Sequence, residues 1–287
     1  MSSYRFCRTD DIGLLVDALN RCWAPYAPDE PAATPTTFKR LIRDLQVWCS
    51  SCMVAFSGAD PIGVLIGAKR PSGTLVHRIA VHPDHRRQGH GRHLLESLGS
   101  KLAILGPPRI VAEIPGTLSP ASELFRASGY VEEAVLTDYV WESAACAEQA
   151  SHGGASRTGL VIPVTIDDLA ANGLLGEADP HVCWARSFQT LIARKGEIAG
   201  LAVASDERIE ACILYVKDPQ GTLEILAFRT FVDDGGGCLA HLLSRLRTRT
   251  CRFTKVHPAE ISTQCLETLG FRPVGVHRLY SGRAQAA

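Results

Sequence analysis

The strongest constraint on this chain is that it is written twice. Gly73-Thr74-Leu75 recurs as Gly221-Thr222-Leu223, and at the same offset His93-Leu94-Leu95 recurs as His241-Leu242-Leu243 and Leu98 as Leu246. Residues 109–115 lie over 252–258, Gly129-Tyr130 over Gly270-Phe271, and Thr9-Asp10-Asp11-Ile12 over Ile166-Asp167-Asp168-Leu169. Each match is cheap singly, but their shared order and nearly constant spacing mark two copies of one module. The 287 residues are enough for two ordinary domains. Between the copies, Ser143 to Thr158 is small and polar around Gly153-Gly154 and has too little apolar surface to order itself. The expected organisation is a first module over 1–142, a linker over 143–158 and a second module over 159–287.

Within the first copy the patterning alternates strand and helix. A short strand over 4–8 precedes a helix over 12–22, with Asp10-Asp11 at its start to satisfy the first-turn amides. Residues 23–36 are Pro-rich and read as loop, and 38–45 has helical apolar spacing. Strands over 53–56 and 62–68 flank Gly58-Ala59-Asp60-Pro61 as a hairpin, followed by an apolar strand over 75–81. Leucines at 94, 95, 98, 102 and 105 mark one face of a helix over 91–105. A strand over 109–114, a helix over 120–127 and one or two closing strands over 130–141 complete the copy. Strand, crossover helix and strand in that order imply a parallel pair inside a mostly antiparallel sheet. The fold class is therefore α+β: two tandem modules, each a twisted mixed sheet with a parallel central pair and flanking helices.

With 46% hydrophobic and 21% charged residues the chain is ordinary globular material, not disordered or collagen-like. Thirty Lys and Arg balance thirty Asp and Glu, which leaves no global field for a polyanion. Nucleic acid is accordingly not expected as a partner, and no apolar run reaches membrane-spanning length. The first residues lack a signal-peptide core, so a cytoplasmic location is expected. Ten cysteines lie scattered, as reduced thiols filling core positions do. Cys49-Ser50-Ser51-Cys52 has no second pair at zinc-ribbon distance and reads as small residues entering a strand.

The chemistry concentrates in Ile79-Ala80-Val81-His82-Pro83-Asp84-His85-Arg86-Arg87-Gln88-Gly89-His90-Gly91-Arg92. An apolar strand ends, a proline breaks it, and a basic glycine-containing turn feeds an amphipathic helix. A helix N-terminus offers unpaired amides and the positive end of the dipole, so an anionic phosphate suits it. Gly89 and Gly91 carry no side chain to hold a ligand off the backbone. Arg86, Arg87 and Arg92 add charge-assisted bonds. Histidines at 77, 82, 85, 90 and 93 raise a metal site as the rival, but around a phosphate they would fan apart, and no metal is expected.

Arg86-x-x-Gly89-x-Gly91, preceded by Val81-x-Pro83, resembles the R/Q-x-x-G-x-G/A pyrophosphate loop of the GNAT superfamily of acyl-CoA-dependent N-acyltransferases, and the element order of residues 3–142 is similar to that fold. The resemblance implies acetyl-CoA as co-substrate, its diphosphate held by Arg86, Arg87, Gln88, Gly89, His90, Gly91 and Arg92. It implies pantetheine lying as an extra strand between the splayed strands 75–81 and 109–114. A backbone amide of Ile79, Ala80 or Val81 would face the thioester carbonyl while the amine attacks directly, with no acyl-enzyme. Where the family often carries a tyrosine that protonates the departing thiolate, this chain has Phe125, beside the cofactor; Tyr130 and Tyr139 are candidate substitutes, and no spacing argument selects either. His77 and Glu113 are the ionisable groups near the splay and so candidate bases. Trp23, Tyr26, Asp29 and Glu30 stand in the segment where this fold meets its acceptor, as an amine-attracting rim or as an ordinary capped loop.

The second copy keeps the scaffold and changes the loop. The gapless overlay puts Asp234 at Arg86, Gly237 at Gly89 and Leu239 at Gly91; an acidic residue repels phosphate and a leucine blocks its approach. The expected function is transfer of an acetyl or short acyl group from acetyl-CoA to a primary amine, on a small molecule or a peptide. The alternative is a catalytically silent CoA-binding or sensor module. The molecule is expected as a monomer with paired modules or as a homodimer.

Overall fold

A computed structural model describes residues 2–143, 159–176, 181–218, 220–246 and 248–285. The predicted linker from residue 144 onward lies outside the described residues. Strands and helices follow one another as β1 (Ser2–Phe6), α1 (Ile12–Cys22), α2 (Pro35–Leu45), β2 (Met53–Ser57), β3 (Asp60–Arg70), β4 (Gly73–Val81), α3 (His90–Leu105), β5 (Arg109–Pro115), α4 (Ser119–Ala127) and β6 (Val131–Glu142). The order then repeats with β7 (Leu160–Pro163), α5 (Ile166–Ala171), α6 (Phe188–Ala193), β8 (Ala199–Ala204), β9 (Ile209–Lys217), β10 (Leu223–Thr230), α7 (Gly237–Arg245), β11 (Thr250–Val256), α8 (Thr263–Thr268) and β12 (Phe271–Arg283). Among the described residues no helix is long and apolar enough to cross a membrane.

The expected duplication is visible as two units, but the boundaries fall elsewhere than 142 and 159. One unit comprises Met1–Ala134 with Arg278–Ala287, the other Val135–His277. The reason is strand length. β6 runs 12 residues and β12 runs 13, so each is long enough to supply one end to each unit. The strand that completes the first unit therefore comes from the end of the chain, not from its own copy.

In the first unit β1 to β4 pair antiparallel in sequence order, and β4 pairs parallel with β5 through Thr74↔Ile110 and Leu75↔Val111. The end of β12 adjoins β5. Helix α1 buries Leu15, Val16, Ala18, Leu19 and Cys22, one stripe at helical spacing. Helix α3 buries Leu94, Leu95, Leu98 and Leu102 against Met53, Leu65, Val76 and Ile110, and each fully buried leucine contributes roughly 1.5–3 kcal/mol. Phe125 and Tyr280 stack in the same core with centroids 5.8 Å apart. Asp11 stands at the start of α1 as expected, yet its carboxylate does not cap the helix. It instead accepts Arg5 Nη1 and Nη2 at 2.9 and 2.8 Å and the Arg8 amide at 2.7 Å, because a bidentate guanidinium is a stronger donor than a helix amide. Helix α2 begins inside the segment expected as loop, with Pro35 at its first position and Thr34 and Thr37 forming a reciprocal cap.

The second unit repeats the plan: β7, β8, β9 and β10 pair antiparallel, β10 pairs parallel with β11, and β11 pairs antiparallel with β6. Its core gathers Tyr139, Trp141, Phe228, Leu239, Leu242, Phe253 and Phe271.

Candidate functional site

The two parallel strands of the first unit part company early. Pairing of β4 with β5 ends at Leu75 and Val111. Opposite β3 the register jumps from Ile66↔Arg78 to Gly67↔Val76, which leaves His77 as the extra residue of a β-bulge. A bulge adds local twist and turns the strand away from its neighbour. The bulge thus falls at His77, and Ile79, Ala80 and Val81 follow it along the opened edge.

That opening leads into a cavity of about 570 Å³. Its lining takes in Ile79, Ala80 and Val81 from β4 and Arg86, Arg87, Gly89, His90, Gly91 and Arg92 from the basic turn, with Trp23 and Tyr26 at one side. Leu118, Pro120, Ala121, Glu123, Leu124 and Ala127, in and just before α4, form the remaining wall. The residues singled out from the basic motif therefore converge on one space, except Gln88, which is exposed outside it. The α4 wall was missed in the sequence because all its residues but Glu123 are apolar and carry no chemistry of their own.

Helix α3 starts on Gly89 with φ +84, a left-handed conformation that disfavours any side chain, and a Cβ there would meet nothing within 4 Å. Among the described residues no side chain caps the helix, so its first amides remain available to a ligand. Arg87, at φ 60, shares the left-handed conformation of Gly89 two residues on. Gly91 lines the cavity and also faces α4: a Cβ on it would lie 2.9 Å from Leu124 Cδ2, so that leucine would have to shift.

The three arginines are held lightly. Arg86 Nε donates to the Tyr26 hydroxyl at 2.8 Å with its guanidinium 4.4 Å over that ring. Tyr26 in turn donates to the Val81 carbonyl at 2.6 Å. Arg87 reaches Glu123 at 3.4 Å and Arg92 reaches the Ala127 carbonyl at 3.1 Å. His90, buried at the first position of α3, has its Nδ1 2.6 Å from the Tyr4 hydroxyl, a partner the sequence did not suggest. Burial, followed by His85 and His93, pushes its pKa below the usual imidazole value. With Tyr4 as donor, the proton of the neutral ring sits on Nε2, which is buried without a partner among the described residues. An orphan donor beside uncapped helix amides and arginines fits a diphosphate. The ring centroids of His82, His85 and His90 follow one another at 6.0 and 6.4 Å. Among the described residues no group of three His, Cys, Asp or Glu could hold a metal ion.

The expected catalytic residues do not gather here. His77 and Glu113 are half-buried on β4 and β5, and neither lines the cavity. Tyr139 is a correction: it belongs to the second unit, is buried in that unit's core, and donates to Thr263 Oγ1 at 3.2 Å. Phe125 lies in the first unit's core between Tyr130 and Tyr280 and does not line the cavity. The Tyr130 hydroxyl, whose pKa burial pushes up to about 12, is likewise absent from the lining. Of the expected acceptor rim, Trp23 and Tyr26 line the cavity, Glu30 binds Trp23 Nε1 at 3.2 Å, and Asp29 is exposed.

The second unit closes its own version of the opening. Pairing of β10 with β11 ends at Ile225 and Phe253, and Leu226 is the bulge residue. Just past that point the Arg186 guanidinium bridges the two strands, donating to Leu226 O at 3.4 Å, Thr254 O at 2.9 Å and Lys255 O at 3.1 Å. It also pairs bidentately with Glu260 at 2.7 and 2.6 Å, the two side chains 1% and 2% exposed. Gly236, with φ 90, caps α7, so the counterpart of Gly89 is Gly236 rather than the Gly237 of the gapless overlay. Asp234 occupies the amides behind it, accepting from Gly236 N at 3.0 Å and Cys238 N at 2.6 Å. Leu239, expected to block a ligand, is instead buried in the core. A cavity of about 650 Å³ lies against this loop, with Asp233, Asp234 and Glu260 in its lining.

The first unit is thus a mixed sheet whose central parallel pair splays beside a glycine-capped, basic helix N-terminus. Residues 48–132 match the family described as Acetyltransferase (GNAT) domain. No curated protein matches the sequence. Among solved structures, a tandem GNAT protein from the clavulanic acid biosynthesis pathway, determined without AcCoA, is 16% identical with TM-score 0.65, each chain covered over 100% of its length. A GCN5-related N-acetyltransferase from Sphaerobacter thermophilus is 13% identical with TM-score 0.66, over 99% of this chain and 96% of that one. A putative acetyltransferase from Pyrococcus horikoshii is 13% identical with TM-score 0.61, over 99% and 90%. The chain has the tandem GNAT fold over its whole length, and within its first half residues 48–132 match the GNAT acetyltransferase domain.

Proposed function

We propose that the first unit transfers an acetyl or short acyl group from acetyl-CoA to a primary amine, and that the second unit has given up thioester binding. The observation that carries the reading is the single cavity joining the opened edge of β4 to the uncapped start of α3. The Gly89, His90 and Gly91 amides, His90 Nε2 and the guanidiniums of Arg86, Arg87 and Arg92 would hold the diphosphate. Tyr26, fixed between Val81 O and Arg86, sets the position of the first of these. When bound, acetyl-CoA supplies the activated acyl carbon. A backbone amide among Ile79, Ala80 and Val81 stabilises negative charge on the carbonyl oxygen, which is worth most where water is excluded. The reaction forms one N–C bond as the C–S bond breaks, and the amine's proton must leave. His77 at the bulge is proposed to take it, with Glu113 on β5 as the second candidate. The thiolate is a good enough leaving group to depart without the tyrosine that Phe125 replaces, and it takes its proton from solvent.

In the second unit, Arg186 fills the space between the splayed strands and Asp234 satisfies the helix amides, so both binding elements are already occupied from within. The proposed reading thus has one thioester site per chain. It is tested by calorimetry with CoA and by thiol release from acetyl-CoA over a panel of amines. One CoA per chain, lost in Gly89→Asp, and amine-dependent thiol release are expected. Two CoA per chain, or affinity unchanged in Gly89→Asp, refutes the site assignment. CoA binding without thiol release from any amine leaves a silent CoA-binding module.

A further inference from the structure

Beside Trp23, which the sequence offered either as part of an amine-attracting rim or as an ordinary capped loop, stands a cation. Arg78 follows the bulge residue His77 directly and precedes Ile79, the first β4 residue in the cavity lining. Its Nη2 donates to Glu30 Oε2 at 2.6 Å, and its guanidinium lies 4.9 Å over the ring of Trp23. Trp23 Nε1 donates to the same Glu30 oxygen at 3.2 Å, and Trp23 itself lines the cavity. The Arg78 and Glu30 side chains remain 25% and 45% exposed.

These contacts leave capacity in reserve. A guanidinium has five N–H donors in a planar fork, and among the described residues Arg78 uses one of them. Glu30 Oε1 accepts no hydrogen bond among the described residues. The indole face beneath Arg78 holds the fork in one plane, the arrangement that suits bidentate capture of a carboxylate. The existing ion pair is partly solvated, so exchanging it costs little. A ligand carrying both charges would turn one intramolecular pair into two: its carboxylate on Arg78 and its ammonium on Glu30.

We propose that this Trp23–Glu30–Arg78 cluster is the acceptor subsite and that the acceptor is an amino acid, a primary amine bearing a carboxylate. The assignment rests on the acyltransferase reading for the reaction but not for the binding. A carboxylate fixed at Arg78 places the rest of the molecule beside Ile79–Val81, where the acyl carbon is required.

The test uses the full chain and matched pairs of L-lysine with cadaverine, L-phenylalanine with phenethylamine and L-alanine with ethylamine. Binding is followed by saturation-transfer NMR with CoA present, and turnover by thiol release. At least one amino acid is expected to bind about tenfold or more tighter than its decarboxylated partner. Arg78→Met should bring it down to the partner's affinity. Arg78→Lys keeps the charge but not the fork and should lose most of the preference, while Glu30→Gln should weaken amino acid and plain amine alike. Both Arg78 variants should retain wild-type circular dichroism and CoA affinity. No amino acid binding, equal binding within every pair, or a preference that survives in Arg78→Met overturns the proposal. Amino acid binding through Arg78 without thiol release would remove the acyltransferase reading and leave the subsite. Thiol release that is equal for amines with and without a carboxylate would do the reverse.

Discussion

Replacing Arg186 with methionine is the sharpest test of the claim that the second unit is closed from within. The substitution keeps an unbranched apolar stem and removes the guanidinium. It strands the Glu260 carboxylate, 2% exposed, and takes away the donor to the carbonyls of Leu226, Thr254 and Lys255. Breaking a buried pair by deleting one partner costs about 3–5 kcal/mol, whereas an exposed pair such as Arg78–Glu30 is worth about 0–1. Arg186→Met should therefore lose about 3–5 kcal/mol in the transition of the second unit. Urea unfolding followed by the fluorescence of Trp141 and Trp184, both in that unit, reads it out. Adding Glu260→Leu removes the stranded charge, so the double variant should recover a substantial part, with a coupling of about 2 kcal/mol. CoA affinity should not change, because the proposed thioester site is in the other unit. A loss below about 1 kcal/mol, or strict additivity of the two substitutions, would refute the buried bridge.

Other consequences follow from the same geometry. Gly89→Ala puts a side chain on a residue at φ +84 with open space around it, so it should cost about 1 kcal/mol in stability and, by turning the loop amides, weaken CoA binding in calorimetry. Gly91→Ala meets the Leu124 side chain and should lower the melting temperature with a smaller effect on CoA affinity than Gly89→Ala. Burial raises the Asp234 pKa, but hydrogen bonds from Cys238 and Gly236 outweigh it and hold the carboxyl below its ordinary value of 3.8. Its stabilisation is thus complete above about pH 4 and is lost as pH falls through the lower folded value; Asp234→Asn should flatten the acid limb of an unfolding titration. Burial pushes the Cys22 thiol up to about 11 and those of Cys7 and Cys251 up to about 12. Alkylation of the native protein at pH 8 should accordingly be slow, with half-buried Cys265 modified ahead of these three by peptide mapping.

What the sequence by itself determined is what depends on residues near one another in the chain. The duplication, the alternation of strand and helix, the limits of α1 and the glycine-bearing basic turn were all legible, because periodicity, caps and left-handed glycines are local physics. The turn's residues then converged on one cavity. The tertiary structure alone decided which distant partner each side chain took. Asp11 preferred Arg5 to the helix it precedes, and His90 took Tyr4 from β1. Gly91 gained a packing contact that its position in the turn did not suggest, because Leu124 lies against it. Tyr139 was counted in the first module, yet β6 runs far enough to carry it into the second unit's core. Tyr280 came from the other end of the chain to stack on Phe125. No pattern in 186 or 260 foretold their pairing, since a buried ion pair is favourable only when desolvation is repaid by close geometry, and that geometry exists only after the strands have splayed.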